Sequence, residues 1–225
     1  MDYTRYAIYY APRPSPFQVA AAAWLGWNAE GPEVPLPDDM PPFAPSVTEA
    51  ARKYGFHGTL KAPFRLAPGQ DEAKLRDAVA TLATGLPAVT LPAMVLRRIG
   101  GFLALTPQSA SPALSIVAAT IVRDLDPFRA PLTDAEIARR RPEKLTERQF
   151  VNLRRWGYPY ILDDFQFHLT LAGDLDPALS AKVAQALEGW LLPLVPRPFP
   201  VQDLCLFGEG MDGRFRLISR HALTG

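Results

Sequence analysis

Hydrophobic and polar positions alternate between two periods along the chain, and they do so in the same order twice. Tyr6, Ala7, Ile8, Tyr9 and Tyr10 form a run of β-formers closed by Pro12 and Pro14, which predicts a strand. Ser15 ahead of Pro16 supplies an N-cap and a first-turn proline, so a helix is predicted from there to about residue 27. Residues 54–60 predict a strand. Residues 71–84 carry apolar Ala73, Leu75, Ala78, Val79 and Leu82 behind an Asp, which predicts a helix. Residues 94–99 and 102–106 flank Gly100-Gly101 and predict a hairpin. The second round begins at Ser111-Pro112, a helix to about residue 125. It continues with a strand at 165–171, a helix opened by Asp176-Pro177 and running to about 192, and a hairpin of 201–207 with 214–221. Strand, helix, strand, helix, hairpin therefore occurs twice, the 102–106 strand closing one round and opening the next. This predicts a single α+β domain of two pseudo-symmetric lobes, with repeat one at about residues 1–106 and repeat two at about 102–225. Two segments stand outside the repeat. Residues 31–45 hold six prolines, a loop that is either a lid or an inert surface segment, with one short helix after it at 47–52. Residues 130–160 form a charged insert with a helix predicted over 147–156.

The repeat brings two of the three histidines to matching positions, in Phe56-His57-Gly58-Thr59-Leu60 and Phe167-His168-Leu169-Thr170-Leu171. Tyr6 to His57 is 51 residues and Phe102 to His168 is 66; the insert accounts for the excess. On a strand, residues i and i+2 share a face. His57, Thr59 and Lys61 are therefore expected on one face, with Tyr54, Phe56 and Leu60 on the other. Gln166, His168 and Thr170 are likewise expected opposite Phe165, Phe167, Leu169 and Leu171. Equivalent strands in equivalent lobes would face each other across a groove. Two imidazoles can take and give a proton near neutral pH, and two Thr hydroxyls can donate to anionic oxygens. That set suits cleavage of a phosphodiester without a metal: one histidine activates water or a hydroxyl, the other protonates the departing oxygen, and the Thr hydroxyls, with Lys61 as a candidate, hold the non-bridging oxygens. The matched pair is what carries this reading, because a single strand histidine or threonine is ordinarily structural.

Composition narrows the classes further. There are 24 Lys+Arg against 23 Asp+Glu, a net charge of +1, which argues against long nucleic acid or anionic membrane as a partner. One cysteine, Cys205, excludes an internal disulfide and a Cys-ligated zinc site, and three histidines disfavour a His-rich metal site; no metal and no cofactor are expected. The N-terminal residues are polar, and the longest apolar runs fall short of a bilayer span, so the cytoplasm is the expected compartment. Cys205 reads as a small core residue and His221, which has no partner motif, as structural. The insert concentrates Arg139, Arg140, Arg141, Lys144, Arg148, Arg154 and Arg155 against Glu143 and Glu147. It is either a solvated helical face or a basic flap that catches an anionic substrate. Tyr158 and Tyr160 lead into the second motif and either stack on a base or sugar or pack in the core.

The paired His-x-Thr-Leu motifs and the duplicated layout resemble the 2H phosphoesterase superfamily, which includes RNA 2′,3′-cyclic phosphodiesterases and 2′–5′ RNA ligases. The closing residues 214–223 resemble that group's last strand. More narrowly, residues 54–64 and Trp156-Gly157-Tyr158-Pro159-Tyr160 resemble a bacterial subfamily encoded near phosphonate-utilisation genes. The resemblance implies that each lobe is an antiparallel sheet with helices outside, around a central cleft. It implies His57 and His168 as catalytic, Thr59 and Thr170 as phosphate-binding, and no metal. The substrate it implies is a small cyclic or linear phosphoester, with a ribosyl cyclic phosphate from phosphonate breakdown as one candidate and RNA ends as another. The insert and the proline loop depart from the RNA-handling members. A third reading, a non-catalytic module that binds a phosphorylated metabolite, keeps the pocket without turnover, but binding alone does not require two proton-transfer groups.

Overall fold

The computed structural model describes residues 2–31, 37, 38 and 40–225. Residues 32–36 and 39, part of the proline loop read as a lid or an inert segment, lie outside the described residues. The elements are β1 (Arg5–Tyr10), α1 (Pro16–Leu25), α2 (Ala44–Val47), α3 (Glu49–Arg52), β2 (Gly58–Phe64), α4 (Glu72–Thr84), β3 (Val89–Leu91), β4 (Met94–Ile99) and β5 (Phe102–Pro107). They continue with α5 (Pro112–Asp124), α6 (Asp134–Ala138), α7 (Glu147–Trp156), β6 (Leu169–Thr170), α8 (Pro177–Trp190), β7 (Phe199–Val201), β8 (Asp203–Glu209) and β9 (Phe215–Ala222). The helix starts follow from their caps. Ser15, Asp71, Ser111 and Asp176 each accept a hydrogen bond from a first-turn amide, and Pro16, Pro112 and Pro177 occupy the first turn where no amide hydrogen is needed.

The fold is α+β. The main sheet runs β4-β5-β6-β2-β1-β8-β9, every neighbouring pair antiparallel. Strand β1 lies inside it and is buried on both faces. Tyr6, Ile8 and Tyr10 enter the large core with Phe17 and Trp24 of α1, Val79 of α4, Ile121 of α5 and Leu187 of α8. Ala7 and Tyr9 point the other way, into a smaller cluster with Cys205, Phe207 and Phe215. Helices thus cover one face, and the other face is left to carry a site.

Two junctions join the halves of the molecule, and each pairs strands at equivalent places in the two rounds. The His-bearing strands β2 and β6 meet at Gly58 and Leu169. Strands β3 and β7, each just ahead of a hairpin, pair as a separate ribbon centred on Thr90 and Pro200. The antiparallel sheets of the two lobes are therefore continuous edge to edge. The hairpins are also exchanged: β8–β9 completes the half that carries β1 and β2, while β4 and β5 complete the half that carries β6.

Several boundaries differ from the sequence reading. The segment at 47–52 is two short helices rather than one. The strand expected at 54–60 begins at Gly58, because Gly55 turns the chain with φ +70°. The strand expected at 165–171 is ordered into the sheet only at Leu169–Thr170, since a 3₁₀ turn at Leu162–Asp164 leads straight into the motif. The β3–β7 ribbon has no signal in the pattern: three residues are too few to show a period. Among the described residues, no helix is long and apolar enough to cross a membrane.

Candidate active site

The β2–β6 junction builds the site. Gly58 and Leu169 are the middle residues of the two His-x-Thr triplets, and they are register partners. Continuing that antiparallel register by one residue each way sets His57 against Thr170 and Thr59 against His168. Directly opposed residues project to the same face, so all four polar side chains leave the sheet together, away from the helices. The glycine is required. A Cβ at Gly58 would lie 2.5 Å from the Phe167 ring of the second motif. The first motif carries Gly where the second carries Leu because the two strands approach each other there.

His57, Thr59, His168 and Thr170 line one cavity of about 840 Å³, which Tyr158 and Tyr160 also line. Each histidine is held the same way: Nδ1 of His57 lies 2.9 Å from the Gly55 carbonyl, and Nδ1 of His168 lies 2.7 Å from the Gln166 carbonyl. A carbonyl oxygen only accepts, so Nδ1 carries the hydrogen in both rings and Nε2 is the nitrogen left for chemistry. For His57 the local turn makes this contact. Gly55 has its positive φ with the Ala29 Cβ packed where its own side chain would be. Nε2 of His57 lies 3.2 Å from the Thr59 hydroxyl.

The two rings have different surroundings. The Tyr9 ring stacks on His57, with centroids 3.9 Å apart. Burial pushes His57 down to about 4, the neighbouring His168 pushes in the same direction, and the Gly55 carbonyl acts against both. His168 meets the Phe102 ring at a tilt, 5.5 Å between centroids.

Lys61 is corrected: it does not share the face of His57 and Thr59. Strand β2 bulges against β1, so that Tyr9 faces Thr59 but Ile8 faces Lys61, leaving Leu60 as the extra residue. One extra residue reverses the alternation beyond it. Lys61 therefore turns to the helix side and is 3% exposed. There its Nζ donates to the Val122 carbonyl at 2.9 Å and pairs with Asp126 at 3.4 Å. Burial pushes its ammonium down to about 8, with Asp126 opposing. Tyr54, expected on the apolar face, lines the cavity, because it precedes the Gly55 turn rather than lying on the strand.

The insert reaches the site at one basic position. Arg140 lines the cavity and lies over the Tyr158 ring at 5.0 Å, while Tyr160 meets Tyr158 edge-on. Arg148 is tied to Asp164 at 2.7 Å, and Arg155 lies over Trp156. His221 stands on β9 with Nε2 2.9 Å from the Ser219 hydroxyl, outside the cavity lining. Cys205 is buried in the smaller core, and burial pushes its thiol up to about 12.

Residues that the motifs do not announce also line the cavity, among them Arg5, Tyr9, Phe102 and Asp174. Arg5 is held in a fork by Glu209, its second nitrogen 2.6 Å from the carboxylate. That partner is 204 residues away, so no local pattern discloses it. Tyr9 and Phe102 sit inside apolar strands, where nothing separates a ring that packs from one that stacks on a histidine. Among the described residues, no group of three or more His, Cys, Asp or Glu side chains is gathered as metal ligands are.

Comparison with known proteins adds the following. The family described as "Protein of unknown function (DUF1045)" matches residues 59–216. Two curated proteins named ribose 1,5-bisphosphate phosphokinase PhnN are similar to the chain. The one from Janthinobacterium sp. (strain Marseille) is 39% identical over 177 residues, 76% of this chain and 39% of that protein. The one from Laribacter hongkongensis (strain HLHK9) is 36% identical over 222 residues, 95% of this chain and 50% of that protein. The chain thus spans half or less of the length of these relatives. Solved structures similar to it include E. coli LigT with 3′-AMP, at 16% identity and TM-score 0.49, and E. coli LigT with phosphate, at 17% and 0.43; each match covers 100% of both chains.

Proposed function

We propose that this chain, which belongs to the DUF1045 family of proteins of unknown function, is a phosphodiesterase of the 2H type that opens a small cyclic phosphate with two histidines. The observation that carries the reading is the register of the two motifs. It sets two imidazoles, each with Nδ1 tied back to a carbonyl, and two Thr hydroxyls on one face at the wall of one cavity. A binding pocket needs the hydroxyls; the second imidazole is accounted for by proton transfer at both ends of a displacement.

His57 is held neutral by burial under Tyr9 and is the base; His168 is the acid. A water oxygen forms the new bond to phosphorus and gives its proton to Nε2 of His57. The bond from phosphorus to one ring oxygen breaks, and that oxygen takes the proton from Nε2 of His168. With substrate bound, the Thr59 hydroxyl turns away from Nε2 of His57, to which it donates in the free protein, and with the Thr170 hydroxyl donates to the non-bridging oxygens, where charge concentrates in the transition state. The imidazoles finish with their protonation exchanged, and solvent resets them. Both proton transfers are carried by protein groups, so the scheme draws on no cofactor.

The relatives' name supplies the substrate reading. Opening a 1,2-cyclic phosphate on ribose 5-phosphate yields a ribose bisphosphate, the class of compound named for PhnN. The chain contains no Gly-Lys pair, and so no phosphate-cradling Gly-x₄-Gly-Lys loop. We therefore assign the phosphokinase activity of those proteins to the part this chain does not match. The test is phosphorus NMR of ribose 1,2-cyclic phosphate 5-phosphate incubated with the protein, beside 2′,3′-cyclic nucleotides and short RNAs ending in a cyclic phosphate. Ring opening that persists in EDTA and is lost in His57→Ala and His168→Ala supports the reading. Preference for the oligonucleotides moves the substrate to RNA ends, and intact compounds throughout overturn the assignment.

A further inference from the structure

One cation at the cavity wall, Arg140, has no part in the chemistry between the histidines. We infer that Arg140, stacked on Tyr158, is the recognition site for a second anionic group, so that the substrate class is a small molecule bearing a phosphate besides the one that reacts. This rests on the proposed function and deepens it.

The cations near the cavity sort by partner. Arg5 lines it but is held in a two-bond fork by Glu209. Arg148 is turned to Asp164 in a fork of 2.7 and 3.0 Å. Among the described residues, Arg140 is the lining cation with no carboxylate partner; its contact is the Tyr158 ring at 5.0 Å. Stacking orients a guanidinium without using its hydrogen-bond donors, and those donors match a phosphate in a planar fork. The lining acids are elsewhere: Asp164 is occupied by Arg148, and Asp174 packs against Gly101 in the β4–β5 turn, on the side of Phe102 and His168. Arg140 and Tyr158 stand on the side of Tyr54, which adds to the upward push that burial gives the Tyr158 phenol. The volume of about 840 Å³ leaves room for a sugar between the two positions. The insert that interrupts the repeat thus has a use: it brings one arginine to the wall beside His57.

The experiment separates binding from turnover. His168→Ala protein, which keeps the ligand intact, is titrated calorimetrically with ribose 1,2-cyclic phosphate and with its 5-phosphate. A charge-assisted fork is expected to favour the 5-phosphate by about tenfold or more. The preference is expected to disappear when Arg140→Ala is added, to persist in part with Arg140→Lys, and to shrink with added salt. Equal affinities in the parent, or a preference that survives Arg140→Ala, overturn the inference whether or not the wild type turns either compound over. Wild-type turnover of either compound is scored separately and bears on the proposed function alone. Arg140 is exposed, so a folding defect is not expected; circular dichroism of each variant checks this.

Discussion

The Tyr9 ring lies on the His57 imidazole, 3.9 Å between centroids and 28° between planes. This stack removes water from one of two otherwise matched histidines. With His57 down at about 4, a base at this position stays neutral through the acid range. The acid limb of the rate profile is therefore expected near pH 4, and in Tyr9→Ala it should move up toward the ordinary value of about 6.5. Rate against pH for both proteins checks this; coincident acid limbs would show that the stack does not set the base. The linkage has a matching sign. The unfolded chain binds the proton more tightly than the folded one between pH 6.5 and 4, so stability contributed by the neutral ring is lost as pH falls through that window.

Removing either histidine is expected to lower cleavage by about 10²–10⁴-fold without a comparable loss of folding. Thr59→Val and Thr170→Val keep the shape and remove one donor each, and about 10- to 10³-fold losses in kcat are expected. Steady-state kinetics beside thermal melts separate the two effects. A Thr variant that changes KM with kcat untouched would restrict that hydroxyl to ground-state binding.

Gly58→Ala places a methyl against the Phe167 ring, with a contact of 2.5 Å to relieve. Forcing the β2–β6 junction apart is expected to cost about 1–3 kcal/mol and to lower activity, because the same junction registers the histidines. Adding Phe167→Ala should recover part of the activity lost by Gly58→Ala, although it opens a cavity of its own. A double-mutant cycle in denaturant measures the coupling, and simple additivity would mean that the two residues do not contend for that space.

Lys61→Met tests the bulge. If Lys61 faces α5, as its bond to Val122 indicates, the variant keeps kcat and KM while its stability profile changes. In the wild type the folded ammonium titrates near 8 and the unfolded one near 10.5, so stability rises with pH across that interval. Lys61→Met should lack this rise in melts between pH 8 and 10. A large loss of activity in the variant would return Lys61 to the phosphate.

The repeat, the helix starts and the two triplets were legible because each rests on local chemistry. Ser15, Ser111 and Asp176 announce helices by the bonds they make three residues on, and the helix at Glu147–Trp156 starts and stops where the pattern places it. Lys61 was misread because a bulge leaves no mark in alternating residues: Leu60 is apolar and fits either register. The Arg5–Glu209 fork and the Tyr9 stack were invisible for another reason, since both depend on strands brought together from opposite ends of the sequence. The paired motifs predicted which side chains share a face, and Gly58 records why, once Phe167 is seen against it.

The exchange of hairpins has a consequence for how the molecule is made. The ring that covers His57 is itself supported from below by Phe207 of β8 and Phe215 of β9, 5.1 and 6.0 Å from Tyr9. Strand β1 pairs with β8 across about two hundred residues of sequence. On the ribosome, then, the first histidine motif emerges early but has no finished seat until residues 203–222 follow. Such late, long-range closure makes folding slow for the size of the chain. A nascent chain stalled before β8 would have β2 between β6 and β1 but would leave β1, and with it the Tyr9 ring that covers His57, as an unpaired edge.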